Sequence, residues 1–535
     1  MKLLRVAPLL ALFWFHAQAM ERWFYVADNL LVDERVTKLD ALIQRASKAG
    51  YTHMLLADSK FSRLASLDEH YFRNVARVKQ AAAEAGVEIV PAVFPVGYSN
   101  DLLWSDPNLA EGPPVKDAPF VAHGGVARLE SDAPPVLKGG DMADLKRWDW
   151  KDDTVVADNG AARITDPKGA NARISQKLKL VPFRQYHLTV RVKTDHFAGT
   201  PEVKVLGLQG QSLNYDYLKT EPTQDWRTHH VVFNSLSNSV VNLYLGAWGA
   251  TTGSLWWDDA TLEEVGLVNL IRRPGAPFIV KDGQGKELVE GTDFEPVGDP
   301  LMGTKPYAGC YDIYHEPPVI RVKGGLTEGT RLRVSYQHVA SIYDGQVMID
   351  IAEPKTLELL RDQARRVHAL FHAQGYMMSH DEIRVLGWSE AFRKRGLTPG
   401  QLLAENVHEC AKILREVNPG GRIYTWNDMF DPHHNAVPGP YYLVNGPLTD
   451  SWAGLDKDII ILQWNDGHRA ESLKFFADRG NPQILAGYYD DSPAQVQRWL
   501  DSAKGVSGVR GAMYTTWQAR YDDLEKVAAI IPAGP

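Results

Sequence analysis

Eight apolar runs of strand character, three before and five after a long stretch poor in helices, limit what this chain can fold into. The first three are Trp23–Val26, His53–Ala57 and Val87–Val93. Helical stretches at Val36–Ala49 and about Tyr71–Ala85 lie between them, stopped by Gly50 and Gly86. Strand–helix–strand order of this kind opens a parallel sheet or barrel. The alternation resumes after about residue 350, with helices at Lys355–Ala373 and Pro399–Val417. The later strands are expected at 376–380, Arg422–Trp426, Ile459–Trp464, Gln483–Tyr488 and Gly511–Trp517, with helices near 469–479, 493–503 and 521–531. The count of eight predicts an α/β chain: a (β/α)8 TIM barrel interrupted after its third strand by inserted β-sandwich modules.

The interruption has its own pattern. Short alternating runs at Tyr186–Val192, Val203–Leu206, His230–Phe233 and Val241–Leu245 predict a β-sandwich over 140–265. Gly253–Asp259, continuing through Ala260–Leu262, resembles the closing strand of carbohydrate-binding modules of the galactose-binding jelly-roll type. A second β-rich segment, 266–345, contains Pro277–Lys281, a turn at Asp282–Gly285 and Arg331–Tyr336. At 535 residues the chain is too long for one core. The expected division is a leader at 1–19, a first barrel portion with its linker at 20–139, the two β-rich segments, and the rest of the barrel at 346–535.

The leader reading rests on a basic start, Met1–Arg5, an apolar stretch, Val6–Phe15, and a small-x-small site at Ala17–Ala19. It implies an exported protein, periplasmic or secreted, with no membrane span after cleavage. A net charge of -8 and a pI near 6.1, with no Lys/Arg block, provide no basic field for nucleic acid. Cys310 and Cys410 fall in different predicted elements, so their number implies no disulfide. His433 and His434, near Asp428 and Asp431, fit no tetrahedral zinc spacing, and no metal or cofactor is expected.

The chemistry concentrates at strand ends. Gly375–Glu382 is an apolar run closing on adjacent acids, Asp381 and Glu382. The later runs end in Trp426, Trp464, Tyr488–Tyr489 and Trp517. In a (β/α)8 barrel these ends share the face where active sites are built. Paired carboxyls among aromatic walls suit a sugar-cleaving pocket, because one carboxyl can supply a proton while another offsets positive charge. The rings would stack on pyranose faces.

This order resembles the family 20 glycoside hydrolases, which are β-N-acetylhexosaminidases. Asp381–Glu382 with Trp388 is similar to that family's Gly-Gly-Asp-Glu segment and the tryptophan after it. Trp426–Asp428, Gln463–Trp464 and Tyr489–Asp491 resemble its later strand-end segments. Ser379 and His380 replace its two glycines, Met377 replaces its histidine, and Ala519 stands where it usually has an acid. The Pro91–Tyr98 loop keeps the outline of its third-strand loop without that loop's acid and histidine. The resemblance implies substrate-assisted retaining catalysis on an oligo- or polysaccharide. Glu382 would be the general acid and then base, Asp381 would orient the acetamido N–H, and Tyr489 would bond the acetamido oxygen. Trp426, Trp464 and Trp517 would form the box, with His380, Trp388, Asp428 and Asp491 completing the substrate contacts. Two alternatives stay open. One is a two-carboxylate glycosidase using Asp428 or Asp466 on sugars without an acetamido group, and the other is a non-catalytic carbohydrate-binding protein.

Overall fold

Eight parallel strands close into a barrel in chain order. They are β1 (Glu21–Ala27), β2 (His53–Ala57), β3 (Glu88–Val93), β4 (Gly375–Met378), β5 (Arg422–Trp426), β6 (Ile460–Gln463), β7 (Gln483–Leu485) and β8 (Val509–Tyr514). The computed structural model describes residues 20–165, 171–249, 252–323, 327–343 and 345–532, so the expected leader lies outside the described residues. Among them no helix is long and apolar enough to cross a membrane. Four strands, β4, β6, β7 and β8, end earlier than their apolar runs suggest. Trp464, Tyr489 and Trp517 therefore belong to the loops after β6, β7 and β8, whereas Trp426 is the last residue of β5.

By its internal contacts the chain divides into two compact units, Met1–Ala57 with His70–Val90 and Lys457–Pro535, and Asp58–Glu69 with Pro91–Asp456. In the first, β1 pairs with β2 from Trp23↔His53 to Ala27↔Ala57, and with β8 from Glu21↔Gly511. Trp23, Phe24, Leu55, Ile461, Trp499 and Tyr514 are buried there. Strands buried on both faces carry near-continuous apolar sequence, which is why these runs read so clearly.

In the second unit, helix Pro399–Val417 forms where its sequence predicts it. The Thr398 hydroxyl accepts from Gln401 N–H, the Gln401 side chain accepts from Thr398 N–H, and Pro399 opens the first turn. The helix buries Leu402, Leu403, Val407, Cys410, Ile413 and Leu414. Cys310 and Cys410 are both free thiols.

Between β3 and β4 the chain builds antiparallel sheets. Two have five strands each. One is centred on Gln185–Ala198 paired with Thr252–Val265, the other on Val240–Ala247 between Pro201–Gly207 and Ala172–Lys179. A third sheet of six strands joins Arg331–Gln337 to Ile279–Asp282 on one side and to Pro114–His123 on the other. It has a core of its own, with Phe120, Leu270, Phe294, Leu332 and Tyr336. The strand Pro114–His123 is absent from the sequence reading. Asp117, at φ +50°, and Pro119 interrupt its alternation, and its partner lies some two hundred residues further on.

Candidate active site

β4 is buried along its whole length, and the ladder continues as Ser379 N–H donates to Val93 carbonyl at 2.8 Å. His380 is fully buried, its Nε2 3.0 Å from Asn406 Oδ1, and burial lowers its ring to about 4. It is therefore a neutral residue packed on helix Pro399–Val417. The next two residues turn sharply. A Cβ on Gly97 would stand 2.0 Å from the Asp381 carbonyl oxygen, so only glycine permits this approach of the two loops. Glu382 takes φ +49°, a conformation that costs a non-glycine residue about 1–3 kcal/mol and recurs at functional sites. Phe94 after β3, Tyr489 and Asp490 after β7, and Ala519 after β8 also have positive φ.

The turn is held from several sides. Glu382 N–H donates to Asp428 Oδ2 at 2.9 Å, and the buried Asp428 also accepts from Asn435 at 3.1 Å. Gln346 donates to the Gly97 carbonyl at 2.6 Å and to the Glu382 carbonyl at 3.0 Å. The Glu382 carboxylate lies 2.8 Å from the Arg384 guanidinium and accepts from the Tyr98 hydroxyl. Arg384 in turn donates to Gln346 Oε1 at 2.5 Å. It sits 4.6 Å from the centre of Tyr343, 5.3 Å from Tyr215 and 5.4 Å from Tyr442. Among the described residues no such cation lies on the Asp381 carboxyl. Burial first, then the Glu382 charge, push it up to about 7, against the pull of its own backbone N–H and of Arg384.

Trp426 and Trp388 are buried in the same unit, and Trp388 Nε1 donates to the Leu443 carbonyl at 2.6 Å. Trp464, Tyr489 and Trp517 gather in the first unit. Their ring centres are 6.0 Å apart for Trp464–Tyr489, 5.8 Å for Trp464–Trp517 and 6.5 Å for Tyr489–Trp517. Trp517 remains 45% exposed, and the Tyr489 hydroxyl donates to the Trp464 carbonyl. Asp491 is exposed. Its neighbour Asp490 accepts from the backbone N–H of Trp517 at 2.7 Å and of Gln518 at 3.1 Å.

Sequence reasoning missed Tyr98, Arg384, Gln346 and the three tyrosines around Arg384, together with Asp490 and Tyr25, whose ring meets Trp517 at 5.5 Å. Arg384 left a signal as a cation two residues beyond an acid, and Tyr98 and Asp490 lie inside the Pro91–Tyr98 and Tyr489–Asp491 segments, where spacing alone assigns them no role.

In the five-stranded sheets, Trp257 is buried and its neighbour Trp256 is half-buried, with Nε1 donating to Asp158 at 2.9 Å. Neighbours in a strand face opposite sides. A separate hollow of about 670 Å³ is lined by Trp150, Arg173, Lys177, Asn242 and Tyr244.

No family model matches the sequence, and no curated protein matches it. Among solved structures, a rhamnosidase from Novosphingobium sp. PP1Y aligns over 96% of this chain and 58% of its own, at 11% identity and TM-score 0.33. An inactive mutant of a family 20 exo β-N-acetylglucosaminidase from Vibrio harveyi aligns over 36% of this chain and 33% of its own, at 14% identity and TM-score 0.24. A family 4 carbohydrate-binding module aligns over 25% of this chain and 95% of its own, at 21% identity and TM-score 0.19. Likenesses this distant carry no argument about fold or function.

Proposed function

We propose that this chain is an exported glycoside hydrolase, a (β/α)8 barrel with inserted β-sandwich modules that acts as a β-N-acetylhexosaminidase on N-acetylated glycans. The observation that carries it is the Asp381–Glu382 pair after β4. One carboxyl keeps its proton to about pH 7, while its neighbour lies against a guanidinium and a phenol. Paired carboxyls whose environments differ in this way perform acid–base work on acetals. The order of strand-end motifs supports the N-acetyl specificity, and the N-terminal basic, apolar and small-residue pattern supports export.

In this reading the substrate's acetamido oxygen attacks the anomeric carbon as the bond to the leaving oxygen breaks. A carboxyl gives that oxygen its proton. Water then opens the oxazolinium ring, returning a proton to the same carboxyl. Glu382 is the proton carrier by resemblance, Asp381 orients the acetamido N–H, and Trp426 supplies stacking surface. A second reading of the roles is favoured by Arg384. Its bond to Glu382 suits that residue to offset positive charge and leaves Asp381 as the donor.

The test is a panel of chromogenic β-glycosides with Glu382→Gln and Asp381→Asn. Cleavage confined to N-acetylated sugars is expected. Loss of the proton donor should lower turnover about 10²–10⁴-fold on poor leaving groups and far less on good ones. Plain hexosides cleaved equally fast would overturn the substrate-assisted step, and no cleavage at all would overturn the hydrolase reading.

A further inference from the structure

We infer that a cleft of about 800 Å³ within the second unit binds the sugars that extend beyond the one processed at Glu382, making an oligosaccharide the preferred ligand over a monosaccharide. The inference rests on the glycosidase reading above. One wall is the segment around Tyr307 and Tyr314. The five-stranded sheets contribute Asp216, Tyr217 and His230 to the lining, the His230 ring stacking on Tyr314 at 5.5 Å, and Tyr98 and Tyr343 line it too. The volume falls within the roughly 300–1,000 Å³ of small-molecule sites.

Three features suit a neutral, hydroxyl-rich chain with apolar ring faces. Aromatic side chains line the walls, and Tyr307 is 54% exposed, so a ring face is available for stacking. Tyr314 is held in place by His187, stacked at 3.7 Å between ring centres, which lowers the entropy lost when a sugar docks on it. The charges are mixed, Asp101, Asp216 and Asp312 against Lys219 and Lys305, so the cleft presents no single-sign field for a phosphate or a polyanion.

The cleft also adjoins the acidic turn through two of its lining residues. Tyr98 lines it and donates to Glu382, and Gln346 lines it and bonds both the Glu382 carbonyl and Arg384. Tyr217 shares a 2.7 Å hydrogen bond with Tyr215, whose ring stacks at 4.8 Å on Tyr343 beside Arg384. The segment carrying Tyr307 is anchored by Asn100, which donates to the Gly309 carbonyl at 2.9 Å. Gly309, at φ +85°, leaves room for that approach, since a Cβ would stand 2.2 Å from the Asn100 carbonyl oxygen.

The experiment uses the full chain carrying Glu382→Gln and measures binding calorimetrically. Its probes are a β-1,4-linked N-acetylglucosamine tetramer and the methyl glycoside of the monosaccharide. The tetramer should bind at least tenfold more tightly. Tyr314→Ala and, with less risk to the fold, the exposed Tyr307→Ala should each weaken the tetramer about fivefold to tenfold while leaving the monosaccharide unchanged. Equal affinity for the two probes, or variants that leave the tetramer unaffected, overturns the inference. Hydrolysis of an aryl N-acetylglucosaminide by the unsubstituted chain tests the glycosidase reading separately. Hydrolysis without length-dependent binding keeps that reading and overturns the cleft. Length-dependent binding lost in the variants, with no hydrolysis, keeps the cleft and overturns the reading.

Discussion

The Arg384 guanidinium lies 2.8 Å from the Glu382 carboxylate, under the rings of Tyr215, Tyr343 and Tyr442. Its side chain is only 4% exposed, so the ion pair is shielded from solvent and salt on the arginine side. The same guanidinium orients Gln346, which fixes the backbone on both sides of the acidic turn. One cation thus sets both the charge and the shape of the site.

Replacing Arg384 by Met should therefore destabilise the protein by about 3 kcal/mol, near the low end for breaking a buried pair, because Glu382 retains some solvent contact. Arg384→Lys keeps the charge without the planar fork or the ring stacking, and should recover part of the loss. Denaturant unfolding of the two variants beside the unsubstituted chain checks the order. Equal stability of all three would show that the pair contributes nothing.

Gly97→Ala places a methyl group where the Asp381 carbonyl oxygen stands, 2.0 Å from the new Cβ, and neither backbone can yield cheaply. The acidic turn must move, so activity should fall at least tenfold, with a stability loss of about 1–3 kcal/mol typical of overpacking. Gly298→Ala meets no atom within 4 Å and serves as the control, with both properties unchanged. Full activity in Gly97→Ala would mean that the turn's position is unimportant to the reaction.

Much of this architecture is legible in sequence for identifiable reasons. Barrel strands buried on both faces leave unbroken apolar runs, and helix Pro399–Val417 announces itself through Thr398, Pro399 and Gln401. The strand Pro114–His123 is not legible, because its partner Arg331–Gln337 is remote and a proline and a left-handed residue break its pattern. The partners of Glu382 are hidden for a similar reason. Tyr98, Gln346 and Arg384 come from separate segments that only the fold assembles; the loop holding Tyr98 is readable but its bond to Glu382 is not, and sequence spacing carries no trace of Gln346. In the Tyr489–Asp491 loop, chemistry alone cannot say which acid faces inward. The Trp517 and Gln518 N–H groups that bond Asp490 decide that.

Asp490 holds the Trp517 loop through two backbone N–H groups, while Asp491 is exposed. Asp490→Ala should cost about 0.5–1.5 kcal/mol, since water can reach the two exposed donors, and should loosen Trp517. Near-ultraviolet circular dichroism should lose tryptophan signal, and KM should rise more than kcat falls, because positioning of a stacking surface is what is lost. Asp491→Ala should change stability by less than about 0.5 kcal/mol, as exposed substitutions do. The reverse pattern would place the working carboxylate on Asp491.

Asp381 gives the sharpest pH dependence. Its carboxyl stands at about 7 in the fold, against roughly 3.9 in an unfolded chain. Between those values the folded protein keeps a proton that the unfolded chain has released, so stability falls as pH rises through that window. Asp381→Asn removes this dependence. Its stability relative to the unsubstituted chain should climb from about pH 4 to about pH 7 and then level off, as read by denaturant midpoints across pH. The activity arm separates the two role assignments. If Asp381 donates the proton, kcat/KM should fall about tenfold per pH unit above 7. Arg384→Met, by removing a cation that holds Asp381 down, should move that limb to higher pH. A variant lacking the Asp381 carboxyl that keeps both its rate on poor leaving groups and the same alkaline limb would assign the proton to Glu382.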